Sequence, residues 1–201
     1  MRIKMRIVLL VMSLAAGASI SGTAAASTVT VSPGGAVTGT AGTAQWVLNT
    51  ARRTLNCTTS GFTGTLASNS GTPPLAVSTD IQMRFSGCRM TGGVNYTFTC
   101  MSTSSLTAMS ATASGSTPMS LTGIFCVEAV SATCRVNVSG SLPMSFNNSG
   151  STLALLTAGQ RLAATGSTCT ILPNDTSVTL SDATGNALYY YVSPATTITM
   201  I

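Results

Sequence analysis

A chain of 201 residues with nine basic side chains, four acidic ones and no histidine excludes a Ser-His-Asp triad, because the base such a triad needs is missing. Only 6% of its residues are charged, far below the usual quarter, so solubility must rest on Ser, Thr, Asn and Gly. The length suffices for one domain with a substantial hydrophobic core.

Residues 1–26 carry the marks of a signal peptide. Arg2, Lys4 and Arg6 form a basic start, Ile7 to Ala16 an apolar run, and Ala24-Ala25-Ala26 a small-residue cleavage site before Ser27. The apolar run is shorter than the roughly 20 residues of a membrane-spanning helix. We therefore expect residues 27–201 to form a single exported β domain, secreted or associated with the cell envelope, with no membrane span after cleavage. In that domain six arginines face Asp80, Glu128, Asp175 and Asp182, a net charge of +2. No cluster of basic residues offers a nucleic-acid footprint. Lys4 is the only lysine, which removes Ser-Lys dyads, Schiff bases and a phosphate-binding P-loop from the domain's repertoire.

From Ser27 onward the pattern has period two. Val29 and Val31 alternate with hydroxyl residues in "STVTVSP", as do Ile81, Met83 and Phe85 with polar residues in "DIQMRFSGC". "VNYTFTC", "CRVNVSG" and "TSVTLSD" behave alike. Such alternation predicts half-buried antiparallel strands. Gly34-Gly35, Gly92-Gly93, Asn148-Ser149-Gly150 and Asp182 to Asn186 supply turns between them. The expected fold is all-β, a disulfide-stapled antiparallel β-sandwich or barrel-like domain. Residues 44–55, "AQWVLNTARRTL", fit two readings. Val47, Ala51 and Leu55 have helical spacing, while Trp46 and Leu48 alternate as in a hairpin.

Six cysteines fall in the domain: Cys57, Cys88, Cys100, Cys126, Cys134 and Cys169. None stands two to four residues from another, as zinc ligands commonly do, and no histidine is present to activate a nucleophilic thiol. An even count in an exported chain points to disulfides. Of fifteen connectivities we expect the sequential set, Cys57–Cys88, Cys100–Cys126 and Cys134–Cys169.

Four acids leave little for carboxylate catalysis. Asp175 and Asp182 sit in turn-forming stretches, Asp80 precedes a strand, and Glu128 follows "IFC". Tyr189-Tyr190-Tyr191 on a strand would send Tyr189 and Tyr191 to one face and Tyr190 to the other. Turned outward, the pair could stack on sugars or on a protein. Trp46 is a further ligand-contacting candidate, though a core position suits it as well. Met83, Met90, Met101, Met109, Met119 and Met144 are spread along the chain, as core fillers are, rather than clustered like soft-metal ligands.

Several segments together resemble a group of uncharacterised small exported all-β proteins of actinobacteria. These are "NCTTSGFTGTLASNSG", "IQMRFSGC", a Gly-Gly turn, "LTGIF", "GSTC" and "YYYVSPATTITM". The resemblance implies an all-β secreted domain and a hairpin over 44–55. Cys100 and Cys126 are additions to that pattern, which implies that they pair with each other. It brings no catalytic residues. The sequence thus leads to a non-enzymatic structural, adhesive or binding protein without a cofactor. Its partner would be a cell-wall polymer, a polysaccharide, or a second copy joined through strand edges. The rival expectations are a carboxylate-dependent enzyme acting on polysaccharide, and a secreted inhibitor or effector.

Overall fold

Period-two alternation becomes seventeen strands in the computed structural model, which describes residues 28–50, 52–91, 95–97, 104–110, 115–129, 135–165, 168 and 177–200. Fourteen of the strands close into one antiparallel barrel. They group into eight staves, most of them interrupted partway. The first four staves are β2 (Gly35–Ala41) with β3 (Ala44–Leu48), β4 (Arg53–Cys57) with β5 (Thr59–Leu66), β7 (Leu75–Ser86) with β8 (Cys88–Met90), and β9 (Asn95–Thr97) with β10 (Ser104–Ala108). The unbroken β11 (Ser116–Ala129) and β12 (Arg135–Asn147) follow, then β13 (Thr152–Leu155) with β14 (Arg161–Thr165), and β15 (Ser177–Asp182) with β16 (Leu188–Ser193). Each stave pairs with its neighbour in sequence, and the last returns to the first through Tyr191↔Thr40 and Leu180↔Trp46. Residues 44–55 take the hairpin form, with Trp46 opposite Leu55.

Inward positions are mostly apolar on the staves for which burial is described, with buried serines at Ser60 and Ser104. Trp46, Leu121, Leu142, Met144, Leu155 and Leu180 are among the most deeply buried side chains. Trp46 meets Phe85 edge-on at 5.0 Å between ring centroids, and Phe62 meets Tyr190 in the same way at 5.6 Å. Gly39 faces inward, and its bare backbone makes room for Phe62: a Cβ there would stand 2.0 Å from the ring. Among the described residues the interior is lined by closely packed apolar side chains. A void of about 10 Å³ beside Phe62, Phe146 and Ile198 holds one water at most.

A three-stranded sheet caps one end of the barrel. β1 (Val29–Ser32) lies between β17 (Thr197–Met200) and the short β6 (Ser70–Gly71). Val29, Val31 and Ile198 belong to the core. Barrel closure removes the long open ladders that strand addition would use. The outer edge of β17 is itself covered, since the Asn148 amide bonds both the N–H and the C=O of Ile198, at 2.8 and 2.9 Å.

Gln160 repeats that device inside the barrel wall. Residues 156–160 leave the ladder between β13 and β14, yet Gln160 Oε1 accepts from Leu180 N at 2.7 Å and its Nε2 donates to Leu180 O at 2.6 Å. The side-chain amide stands where a backbone amide would. Gln160→Leu would strand both backbone groups of Leu180, each costing about 1–3 kcal/mol when buried without a partner. We expect a loss of about 2–6 kcal/mol in urea unfolding. A loss under about 1 kcal/mol would mean that water replaces the amide.

Outward positions are mostly Ser, Thr and Gly, as in Thr38, Thr40, Thr63, Ser139 and Thr165. A barrel that crosses a membrane carries its apolar band on the outside; here the apolar residues fill the inside. Among the described residues no helix is long and apolar enough to cross a membrane.

Candidate functional site: an uncharged aromatic face

Inward-facing alternation on β16 buries Leu188, Tyr190 and Val192, which turns Tyr189 and Tyr191 outward. Their side chains are 56% and 66% exposed, whereas Tyr190 is fully buried. Burial holds the Tyr190 phenol well above its ordinary pKa, with the Ser60 hydroxyl opposing weakly. That hydroxyl lies near the phenol without closing a hydrogen bond of good geometry. Trp46 is 1% exposed and is a core residue, so it leaves the set of ligand-contacting candidates.

Two further large apolar side chains are exposed, Met109 and Leu156. The strand register sets Leu156 beside the tyrosines and Met109 four strand spacings away from them round the wall. Tyr189 stands opposite Ala154, Ala154 opposite Ser145, and Ser145 opposite Pro118. The Met109 N–H donates to the Pro118 carbonyl at 2.9 Å, which ends the row. One step along the strands, Ser120 faces Pro143, whose carbonyl accepts from Leu156 N at 2.9 Å. One step the other way, Asn147 faces Thr152 and Thr152 faces Tyr191. These rows run across five of the eight staves and so curve round the outer wall, carrying aromatic, proline, methionine and hydroxyl side chains. No charged residue stands among them. Met109 thereby departs from the core role expected of the methionines, while Met83, Met90, Met119 and Met144 fulfil it. Met101 lies outside the described residues.

Cys57 and Cys88 form a disulfide. Both are buried, and they sit where β4 gives way to β5 and β7 to β8. Cys100, Cys134 and Cys169 lie outside the described residues. The backbone of Cys126 is on β11 opposite Asn137, and the expected pairings of these four fall outside what is described.

Two acids have defined surroundings, both structural. Asp80 accepts from Thr65 N and Ser78 Oγ, each at 2.8 Å. These bonds, that from the Thr65 backbone foremost, hold its pKa below the ordinary value. Asp182 organises its turn by accepting from the backbone N–H groups of Thr184 and Asn186 and from the Thr184 hydroxyl, each at 2.8 Å. Burial raises its pKa, but these donors outweigh it and leave the group lowered. The two carboxylates are far apart. Asp182 is at the level of Ala44, Cys57 and Cys88, while Asp80 lies eight residues before Cys88 in the sequence. At about 3.3 Å per residue that is about 26 Å along a stave, beyond the roughly 5–9.5 Å of a glycosidase pair. Asp175 lies outside the described residues, and Glu128 stands opposite Arg135 in the β11–β12 ladder. Among the described residues no three His, Cys, Asp or Glu side chains converge as a metal site.

Fold and face together define a class: a disulfide-stapled β-barrel with a filled interior, whose distinctive surface lies on its outer wall. No family model, no curated protein and no solved structure matches the chain.

Proposed function

We propose that this protein is a non-enzymatic binding module of the extracellular medium or cell envelope, holding a cell-wall polymer or polysaccharide against its outer wall. One observation carries the reading: three of the four exposed large apolar side chains among the described residues, Leu156, Tyr189 and Tyr191, lie together on or just beyond the paired strands β13 and β16. A packed core makes the barrel a rigid support for that face rather than a container. Export is supported by the signal-like residues 1–26 and by the Cys57–Cys88 bond, since disulfides persist mainly outside the cytosol. The resemblance to small exported actinobacterial proteins points the same way. The rival carboxylate enzyme draws no support from the separation of Asp80 and Asp182.

Co-sedimentation of residues 27–201 with bacterial cell walls and with insoluble polysaccharides tests the reading. We expect saturable binding to at least one of them. The double variant Tyr189→Ala, Tyr191→Ala should lose most of it while changing stability by no more than about 0.5 kcal/mol, as exposed positions usually do. Binding that ignores both tyrosines would defeat the assignment of this face.

A further inference from the structure

We infer that the outer wall of the second and third staves is a docking stripe for an acidic polysaccharide chain, a surface separate from the tyrosines. The charges of the exported domain are segregated along the sequence. Residues 27–127 carry Arg52, Arg53, Arg84 and Arg89 against the single acid Asp80, whereas residues 128–201 carry two arginines and three acids. Strand pairing gathers the four arginines. Arg84 and Arg89 lie on β7 and β8 of the third stave, where their buried neighbours Met83, Phe85, Cys88 and Met90 turn them outward. Arg84 stands opposite Gly61 and Arg89 opposite Asn56. Arg53 opens β4 on that second stave, three residues before Asn56, and Arg52 precedes it. All four are exposed. From Gly61 to Arg52 the seam is about 30 Å long at about 3.3 Å per residue.

Neutral strands border the stripe. β2 and β3 on one side, and β9 and β10 on the other, hold no charged residue. The one acid nearby, Asp80, already accepts from Thr65 N and Ser78 Oγ. Among the described residues no carboxylate pairs with the four arginines; Arg53 instead donates to Met90 Sδ at 3.6 Å. Beneath them the Cys57–Cys88 bond joins the two staves between the levels of Arg84 and Arg89.

Charge and spacing choose the occupant. Four guanidinium groups without an acidic partner favour an anion, and their planar forks suit carboxylates. Spread at about one per 10 Å along the seam, they do not match the one charge per about 1.7 Å of duplex DNA. They suit a chain whose acidic units are set apart by neutral ones. Exposed Asn56, Thr58 and Ser86 lie between them and offer partners to the hydroxyl groups of such units. A bilayer surface would also require apolar anchors. The exposed large apolar residues Met109, Leu156, Tyr189 and Tyr191 all lie off these two staves.

Soluble polygalacturonate and alginate, with neutral dextran, are the probes for calorimetry on residues 27–201. We expect an acidic chain to bind and dextran not to. Affinity should fall at least about tenfold as salt rises from about 20 to about 200 mM, because exposed pairs are screened. The double variant Arg84→Gln, Arg89→Gln should weaken binding at least about threefold, as the loss of two exposed ion pairs would. The control Arg135→Gln, Arg161→Gln removes the same charge from the second half of the domain and should stay within about twofold of the parent. Circular dichroism melts establish that both variants fold. Equal losses in the two would reduce the effect to net charge and overturn the stripe. So would equal binding of dextran, no binding of either acidic chain at low salt, or tighter binding to poly-dT or to anionic phospholipid vesicles than to either glycan. Tyr189→Ala, Tyr191→Ala should bind the acidic chains unchanged. Loss in that variant with none in Arg84→Gln, Arg89→Gln would assign these ligands to the tyrosine face and overturn the stripe.

Discussion

Alanine at position 140 is expected to cost about 2–6 kcal/mol, the sum of about 1–3 for a side chain in a left-handed backbone conformation and about 1–3 for overpacking. Gly140 sits within β12 at φ +142°, and a Cβ there would lie 1.8 Å from the carbonyl oxygen of Arg161. The obstruction is backbone on a neighbouring stave, so no rotamer can relieve it. Gly140 pairs with Gly123 of β11, and a Cβ at Gly123 would meet Ser104 Oγ at 2.6 Å and, less closely, Ser104 Cα at 2.9 Å. A hydroxyl can turn aside; a ladder carbonyl cannot. Urea unfolding of the two alanine variants should therefore show the larger loss at 140. Equal losses would locate the cost in the inward-facing position common to both sites and not in the contact with Arg161.

Removing the Cys57–Cys88 bond by the double change Cys57→Ala, Cys88→Ala should cost about 3–4 kcal/mol in the chain-entropy account, for a sequence separation of 31 residues. The bond ties the second and third staves at their interruption. Around it Thr58 N and Thr58 Oγ1 both donate to the Ser86 carbonyl, at 3.0 and 3.1 Å. These contacts survive the substitution, so the barrel should still fold, with a lower midpoint. The measurement is urea unfolding of both proteins under oxidising conditions. A loss under about 1 kcal/mol would show that the unfolded chain is already constrained there, by residual structure or by other crosslinks.

Much of the fold was legible because a strand buried on one face writes its period into the sequence. Ile81, Met83 and Phe85 alternate, and all three reach the core. Val29 and Val31 do the same in the end cap. Residues 44–55 were not decidable locally: Val47, Ala51 and Leu55 satisfy helical spacing, and only the ladder from Trp46 to Leu180 on β15 favours the strand. The functional face was half visible. A Tyr-Tyr-Tyr run must place its outer members together, but which side they take depends on the packing of Tyr190 against Phe62. Met109 and Leu156 gave no signal. Each lies just beyond a strand end; Leu156 joins the tyrosines through a cross-strand register that no local window contains, and Met109 lies four strand spacings away from them. The amide roles of Gln160 and Asn148 were hidden for a related reason, since an isolated Gln or Asn does not announce the missing backbone bond it replaces.

Closure of the barrel between its first and last staves also bears on how the chain folds. Thr38 finds its ladder partner at Ser193, and Val29 finds one at Met200. Contacts of such separation are slow to form, because chain entropy must be lost before they return any stabilisation. Early staves can pair with one another but cannot bury their inner faces until β15 and β16 arrive to complete the wall. The sequence therefore encodes a late-committing topology, in which the barrel cannot close until nearly all of the chain is available.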